Sequence, residues 1–225
     1  MLRGNFEESL ERGRKAEIWY PASPASITGH TPDSYHIIDF LSPALRKLVP
    51  AGVDPVFVTS AYRDVPASAG RFPLVLFAHG FASYRLQSTF LTAHLASWGF
   101  VVISPDYPER SLTSLFGNPT APNRSADGVA ALAVAKMVEL DTGSGNLAGH
   151  VDTTRLFPVG HSAGGSASTQ VAGTRTDVQS WISLSSGISL QTAVPAALGD
   201  PSKAALWMVG AQDHVVQPGS VQTAF

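Results

Sequence analysis

Gly160-His161-Ser162-Ala163-Gly164 carries a serine hydroxyl with a glycine two positions away on either side. A serine that attacks an acyl carbon has to stand on a sharp, strained turn between a strand and a helix. Such a turn tolerates only small residues two positions before and two after. Gly160 and Gly164 meet that need, and Gly165 would let the following helix pack closely. The pattern alone is weak in a chain this rich in Gly and Ser, and a plain glycine turn between strand and helix competes with it. Its setting raises its value, because a strand candidate (residues 155–159) precedes it and a small-residue helix follows. His161 lies inside the bend, where its ring should point away from the serine side chain.

A nucleophilic serine needs an oxyanion site, an acid and a base. His79-Gly80-Phe81 directly follows the apolar run PLVLFA. By position, the main-chain N–H groups of Phe81 and Ala163 would face the oxygen that becomes negative in the transition state. Losing one such donor typically costs about 2.7–4 kcal/mol of barrier. His79 is expected to brace this loop through a hydrogen bond rather than to act as acid or base.

Gly210-Ala211-Gln212-Asp213 follows the run AALWMV. A carboxylate at a strand's C-terminal end reaches the edge where the serine bend sits. Asp213 would hold an imidazole in one tautomer and stabilise its cation. The competing reading is a solvent-exposed loop aspartate, and Asp177 and Asp200 are weaker substitutes. The base is harder to place. Chain order in this type of site is serine, acid, histidine. His214 alone follows Asp213, and an immediate neighbour cannot easily turn back to be oriented by it. His30, His36, His79, His94, His150 and His161 all precede the serine. The expectation is therefore a base beyond Phe225, on a last strand and helix, with 1–225 as one domain incomplete at its C-terminus.

The elements that must position these residues are read from apolar runs. Strands are predicted over residues 15–20, 56–61, 73–78, 100–104, 155–159, 180–184 and 204–209, with Pro158 weakening the fifth. Helices are predicted over 87–98, ended by Gly99, then 126–140 and 162–172, with a short one near Leu45 in a proline-rich stretch. Helix 87–98 is read with Phe90, Leu91, His94 and Leu95 on one side. Repeated strand–helix–strand units with wholly apolar strands predict a mostly parallel sheet covered by helices on both faces.

Composition bounds the rest. The chain has 225 residues, 44% hydrophobic and 14% charged, with a formal net charge of −2, the profile of a globular enzyme domain. No basic block points to nucleic acid, and no apolar run is long enough to span a bilayer. With no cysteine, a disulfide framework and a thiolate metal site are excluded. As written the N-terminus carries no signal core, which predicts a cytoplasmic protein, or a secreted one if the true start lies upstream. Oligomeric state is not legible.

The segments AEIWYPA, RFPLVLFAHGF, LASWGFVVISPDYP and VDTTRLFPVGHSAGG, in that order, resemble the bacterial dienelactone-hydrolase-like branch related to platelet-activating-factor acetylhydrolase. The similarity runs from about Ala16 to Val216. It implies an α/β-hydrolase fold and action on carboxylic esters without metal or organic cofactor. The family's nucleophile motif falls on Ser162 and its oxyanion segment on His79-Gly80-Phe81. Mammalian-type members place the acid just after the sixth strand, where this chain has Ser183-Leu184-Ser185-Ser186-Gly187 and no carboxylate. The acid thus resembles the cutinase and dienelactone-hydrolase arrangement, at Asp213. Polyester hydrolases similar to this family carry an aromatic clamp near Gly187; its absence favours short-chain soluble esters over polymers. Phe81, Tyr84 and Leu112 are candidates to line an acyl pocket, with ordinary packing as the competing role. A lipase or polyester hydrolase, a serine peptidase, and a non-catalytic binding protein with a degraded triad remain alternatives, since fold does not separate them.

Overall fold

The computed structural model describes residues 1–116, 121–186 and 202–222. Its main sheet has eight strands: β1 (Leu2–Glu11), β2 (Arg14–Ala22), β5 (Tyr62–Arg63), β6 (Phe72–Ala78), β7 (Val101–Pro105), β8 (Val151–His161), β9 (Ser180–Leu184) and β10 (Ala204–Met208). Their order is β10-β9-β8-β6-β7-β2-β1-β5. From β10 to β7 every pairing is parallel, whereas β2 runs antiparallel to both β7 and β1. A separate hairpin pairs β3 (Ser34–His36) with β4 (Val56–Val58).

β6 and β7, at the centre of the sheet, are buried on both faces, which is why they read as continuous apolar runs, whereas β10 at the edge is largely exposed. Alternate residues divide between two cores. Ile18, Tyr20, Leu74, Leu76, Val101 and Ile103 pack on one face, against Ala130, Ala133 and Met137 of α3 (Ala126–Thr142) and Val171 and Ala172 of α4 (Ala163–Thr174). Trp19, Val75, Phe77, Val102 and Val159 pack on the other, against Ala93 and Ala96 of α2 (Thr89–Ser97). This is the mostly parallel sheet with helices on both faces that the strand–helix alternation predicts. A short α1 (Pro43–Arg46) forms where the proline-rich stretch was expected to hold one, and α5 (Pro218–Gln222) follows β10.

Several details differ from expectation. The N-terminal strand β1 was not anticipated; it pairs with β2 from Leu2↔Ala22 to Glu11↔Arg14, with an irregularity near Ser9. The run 56–61 yields only a three-residue strand, exposed and outside the main sheet. Helix α2 buries Thr89, Thr92, Ala93 and Ala96 and leaves Phe90 80% exposed. Small residues face inward because α2 lies close on β2 and β7. Gly99 closes the helix at φ +94°, as a left-handed C′ residue should. Pro158 sits inside β8 opposite Leu76, and the ladder to β9 begins only at Val159, one residue beyond it. No helix among the described residues is long and apolar enough to cross a membrane.

Candidate active site

The ends of β6, β8, β9 and β10 meet at the C-terminal edge of the sheet, the edge where open parallel sheets bind ligands. β8 turns into α4 at Ser162, whose backbone adopts φ 54° and ψ −123°. That conformation is rare and strained for a residue with a Cβ, and costs on the order of 1–3 kcal/mol. It persists because its surroundings leave no alternative. A Cβ on Gly160 would stand 1.9 Å from the Gly164 carbonyl oxygen, and one on Gly164 would stand 1.9 Å from the Ala78 carbonyl oxygen. The two glycines of the motif are thus required by backbone contacts. Gly164 in particular presses the bend onto the end of β6. The Ser162 N–H donates to Leu184 O at 2.8 Å, tying the bend to β9 as well. Ser162 remains half-buried, neither sealed in nor fully open.

Across from it lies the loop after β6. A Cβ built on Gly80 would stand 3.4 Å from Ser162 Cβ, so the loop directly faces the serine. The two amides expected to serve an oxyanion belong to peptide units whose carbonyl ends are tied down. The Ser162 carbonyl, on the unit carrying the Ala163 N–H, accepts from Gly165 N at 2.8 Å and Ser166 N at 3.3 Å. The Gly80 carbonyl, on the unit carrying the Phe81 N–H, accepts from His79 Nδ1 at 2.8 Å. In a trans peptide the N–H points opposite to the C=O, so each tether aims an amide. Among the described residues, neither the Phe81 nor the Ala163 N–H donates to a loop or turn carbonyl.

His79 is fully buried, and its tautomer follows from its partners. The Tyr107 N–H donates to Nε2 at 3.0 Å, so Nε2 is the acceptor and the proton sits on Nδ1, facing Gly80 O. Burial, with the nearby Arg110 charge, pushes the imidazole pKa down to about 3. His79 is therefore a neutral side chain that ties the loop after β6 to Tyr107. Arg110 lies over the Tyr107 ring at 3.8 Å and donates from Nη1 to the Ala163 carbonyl at 3.3 Å, which fixes the first residue of α4.

The His161 ring faces Gln87. Its Nδ1 lies 2.8 Å from Gln87 Nε2. Gln87 Oε1 in turn accepts the Gly80 N–H at 3.0 Å. Sequence reasoning missed Gln87, and no spacing signal marks it.

Asp213 sits in the turn after β10. Its Oδ1 accepts from Val215 N and Val216 N, each at 2.9 Å. The Val216 and Val215 amides, aided by the Ser185 side chain and His214, hold its carboxyl below the usual range. Ser185 donates its N–H to Met208 O at 2.7 Å and follows Leu184, the acceptor of the Ser162 amide. Asp213 and Ser162 thus lie at the same sheet edge, linked through the ends of β9 and β10. Asp177 precedes β9, at the opposite edge, where it pairs with Arg175 at 2.5 Å. Asp200 and Gly187 lie outside the described residues. Among the described residues, no histidine nitrogen is hydrogen-bonded to Ser162.

The expected acyl-pocket residues divide. Phe81 is 62% exposed. Tyr84 stacks on Phe40 with ring centroids 4.5 Å apart. The Leu112 N–H donates to Ser83 O at 2.8 Å, which holds its segment to the oxyanion loop. Tyr84 and Gln87 also line a cleft of about 540 Å³ together with Tyr35, Phe57 and Phe90.

A family model described as PETase: PET hydrolase-like matches residues 60–195, which include β6, the serine bend and β9. The bis(hydroxyethyl) terephthalate hydrolase of Streptomyces coelicolor is 32% identical over 123 residues, 55% of this chain and 36% of that protein. The chain therefore spans little more than a third of that relative's length. A solved structure, the ferulic acid esterase from Streptomyces cinnamoneus, aligns with a TM-score of 0.57 at 19% identity, covering 92% of this chain and 72% of that one. At that identity the likeness shows the fold, which is that of the α/β-hydrolases.

Proposed function

The chain belongs to the PET hydrolase-like family, and from that premise we propose that it hydrolyses carboxylic esters through an acyl-enzyme on Ser162. The observation that carries the reading is the strained Ser162 backbone, wedged between Gly160 and Gly164 and facing Gly80. A strained turn at this edge serves little purpose unless it presents a nucleophile.

The chemistry follows from the geometry. A general base takes the hydroxyl proton as Ser162 Oγ bonds to the ester carbonyl carbon. The carbonyl oxygen becomes an oxyanion, to which the Phe81 and Ala163 N–H groups donate. Both are pre-aimed, so no reorganisation is needed as charge develops. Collapse of the tetrahedral species expels the alcohol, which takes the proton, and water then releases the acid from the acyl-enzyme. Asp213, kept ionised by two amides, supports the positive charge on the base. The substrate class proposed is small soluble esters of the short-chain or acetyl type. The hydroxyethyl ester of an aromatic acid, which the Streptomyces coelicolor relative is named for, joins that class on the strength of the cleft beside Gln87.

A fluorophosphonate probe tests the reading. The full-length protein should take one label, on Ser162, and Ser162→Ala should take none. Equal labelling of both would sink it. A panel of p-nitrophenyl esters of increasing acyl length, with bis(hydroxyethyl) terephthalate beside them, then ranks the substrates.

A further inference from the structure

We infer that Gln87 is a positioning residue for the oxyanion site, clasping the loop after β6 to the serine bend through one side-chain amide. The inference rests on the serine-hydrolase reading above and adds a residue to it. The contacts on Gly80 carry it. A Cβ on Gly80 would stand 3.2 Å from His161 Nδ1 and 3.4 Å from the His161 carbonyl, so the loop lies close against the bend at this glycine. Glycine has the least intrinsic preference for any one backbone conformation. Its two dihedrals must be set from outside.

Two side chains set them. His79 holds the Gly80 carbonyl at 2.8 Å, which fixes the peptide plane following the glycine. Gln87 Oε1 holds the Gly80 N–H at 3.0 Å, which fixes the plane preceding it. With both planes fixed, φ and ψ of Gly80 are fixed, and so is the direction of the Phe81 N–H. The other end of the Gln87 amide makes this more than a loop contact. Nε2 lies 2.8 Å from Nδ1 of His161, the residue immediately before Ser162. One planar amide thus spans the two segments that supply the two oxyanion donors. It sets the distance between them.

Hydrogen-bond chemistry leaves one arrangement. The Gly80 N–H can only donate, so it faces Oε1. Nε2 must then donate to Nδ1, and neutral His161 carries its proton on Nε2. Gly80 is therefore flanked by two histidines in opposite tautomers, His79 protonated on Nδ1 and His161 on Nε2.

The test uses the full-length protein and the variants Gln87→Met and Gln87→Glu. Methionine fills a similar volume and makes neither hydrogen bond. Glutamate accepts from Gly80 N–H and, if the His161 proton moves to Nδ1, accepts from His161 as well. Active sites are counted by fluorophosphonate titration, and kcat and KM for p-nitrophenyl acetate are expressed per labelled serine. Gln87→Met is expected to lower kcat about 10- to 100-fold with KM nearly unchanged, a loss short of removing an oxyanion donor outright. Gln87→Glu is expected to recover most of that loss, and the ¹⁵N shifts of His161 should report a switch from Nε2–H to Nδ1–H. A kcat per labelled serine that is unchanged in Gln87→Met overturns the inference. So does a Gln87→Glu variant as impaired as Gln87→Met with the His161 tautomer unmoved. Should Gln87→Met fail to fold, the glutamate variant and its tautomer readout still decide. A wild-type protein that takes no label on Ser162 fails differently: it removes the hydrolase reading on which the clasp depends.

Discussion

Replacing His79 with asparagine isolates the contribution of one buried, neutral imidazole to stability. Asparagine puts an amide nitrogen near the place of Nδ1, so the Gly80 carbonyl keeps a donor while the titratable ring is gone. The folded imidazole has a pKa of about 3, depressed by burial and by Arg110, against 6.5 for a free histidine. A base whose folded pKa lies below its unfolded one binds its proton more readily when unfolded. Its stabilising contribution is therefore complete above the unfolded value and is lost as pH falls toward the folded one. Integrating one proton between about pH 8 and about pH 4.5 gives a loss of roughly 2.7 kcal/mol in wild type that the asparagine variant should not show. Both proteins also lose carboxylate contributions over that range, and the difference between them cancels these. Urea denaturation at a series of pH values measures it. The two stability curves should converge on acidification, with the variant losing its initial deficit of about 1–3 kcal/mol, the cost of leaving the buried Tyr107 N–H without its acceptor. Curves that stay parallel would mean that His79 takes up its proton inside the fold, and its assignment as a neutral brace would be wrong.

Three further outcomes follow from the coordinates. Gly164→Ala drives a Cβ to 1.9 Å from the Ala78 carbonyl and should cost several kcal/mol or prevent folding, while Gly145→Ala, which meets nothing within 4 Å, should leave the melting temperature nearly unchanged; calorimetry compares them. Arg63 binds the buried Glu17 at 2.8 Å and Asp33 at 2.7 Å, and Arg63→Met should destabilise by about 2–4 kcal/mol in urea titration. That sits toward the low end of the range for broken buried pairs because Arg63 itself is 39% exposed. Asp213→Asn keeps the acceptor for Val215 and Val216 but removes the charge, so kcat for p-nitrophenyl acetate should fall about 10²- to 10⁴-fold with little change in melting temperature.

What could be read in advance follows burial. β6 and β7 are apolar because they are buried on both faces, and the serine bend is glycine-rich because backbone leaves no room for more. Both are local consequences of packing and leave a local signature. β1 leaves none: LRGNFEESLE carries three glutamates, and it is a strand because β2 offers it a partner. The inward face of α2 was misjudged for a related reason. Apolar side chains at 90, 91 and 95 suggest a core stripe, but close approach to β2 selects Ala93 and Ala96 instead and turns Phe90 to solvent. Gln87 was invisible because its function depends on Gly80 and His161, 7 and 74 positions away. Polar clasps of that kind have no periodicity to betray them.

The distribution of backbone strain argues for the site independently of any resemblance. Four non-glycine residues among those described take positive φ: Asp64, Ala82, Ser162 and Ser185. Three of them follow β6, β8 and β9 at one edge of the sheet, the edge that Asp213 also occupies after β10. At about 1–3 kcal/mol each, those three conformations together cost roughly 3–9 kcal/mol. A domain's whole net stability is only about 5–15 kcal/mol. Glycine at 82 or 185 would relieve the positive φ, at an entropic cost of about 0.5–1 kcal/mol through the unfolded chain. The clustering of Ala82 and Ser185 beside Ser162, in the segments that carry the facing loop and border Asp213, means that this edge is held in a shape the rest of the fold must sustain. A surface that only packed or only solvated would exert no such demand, whereas a site that must present a hydroxyl and two aimed amides at once would.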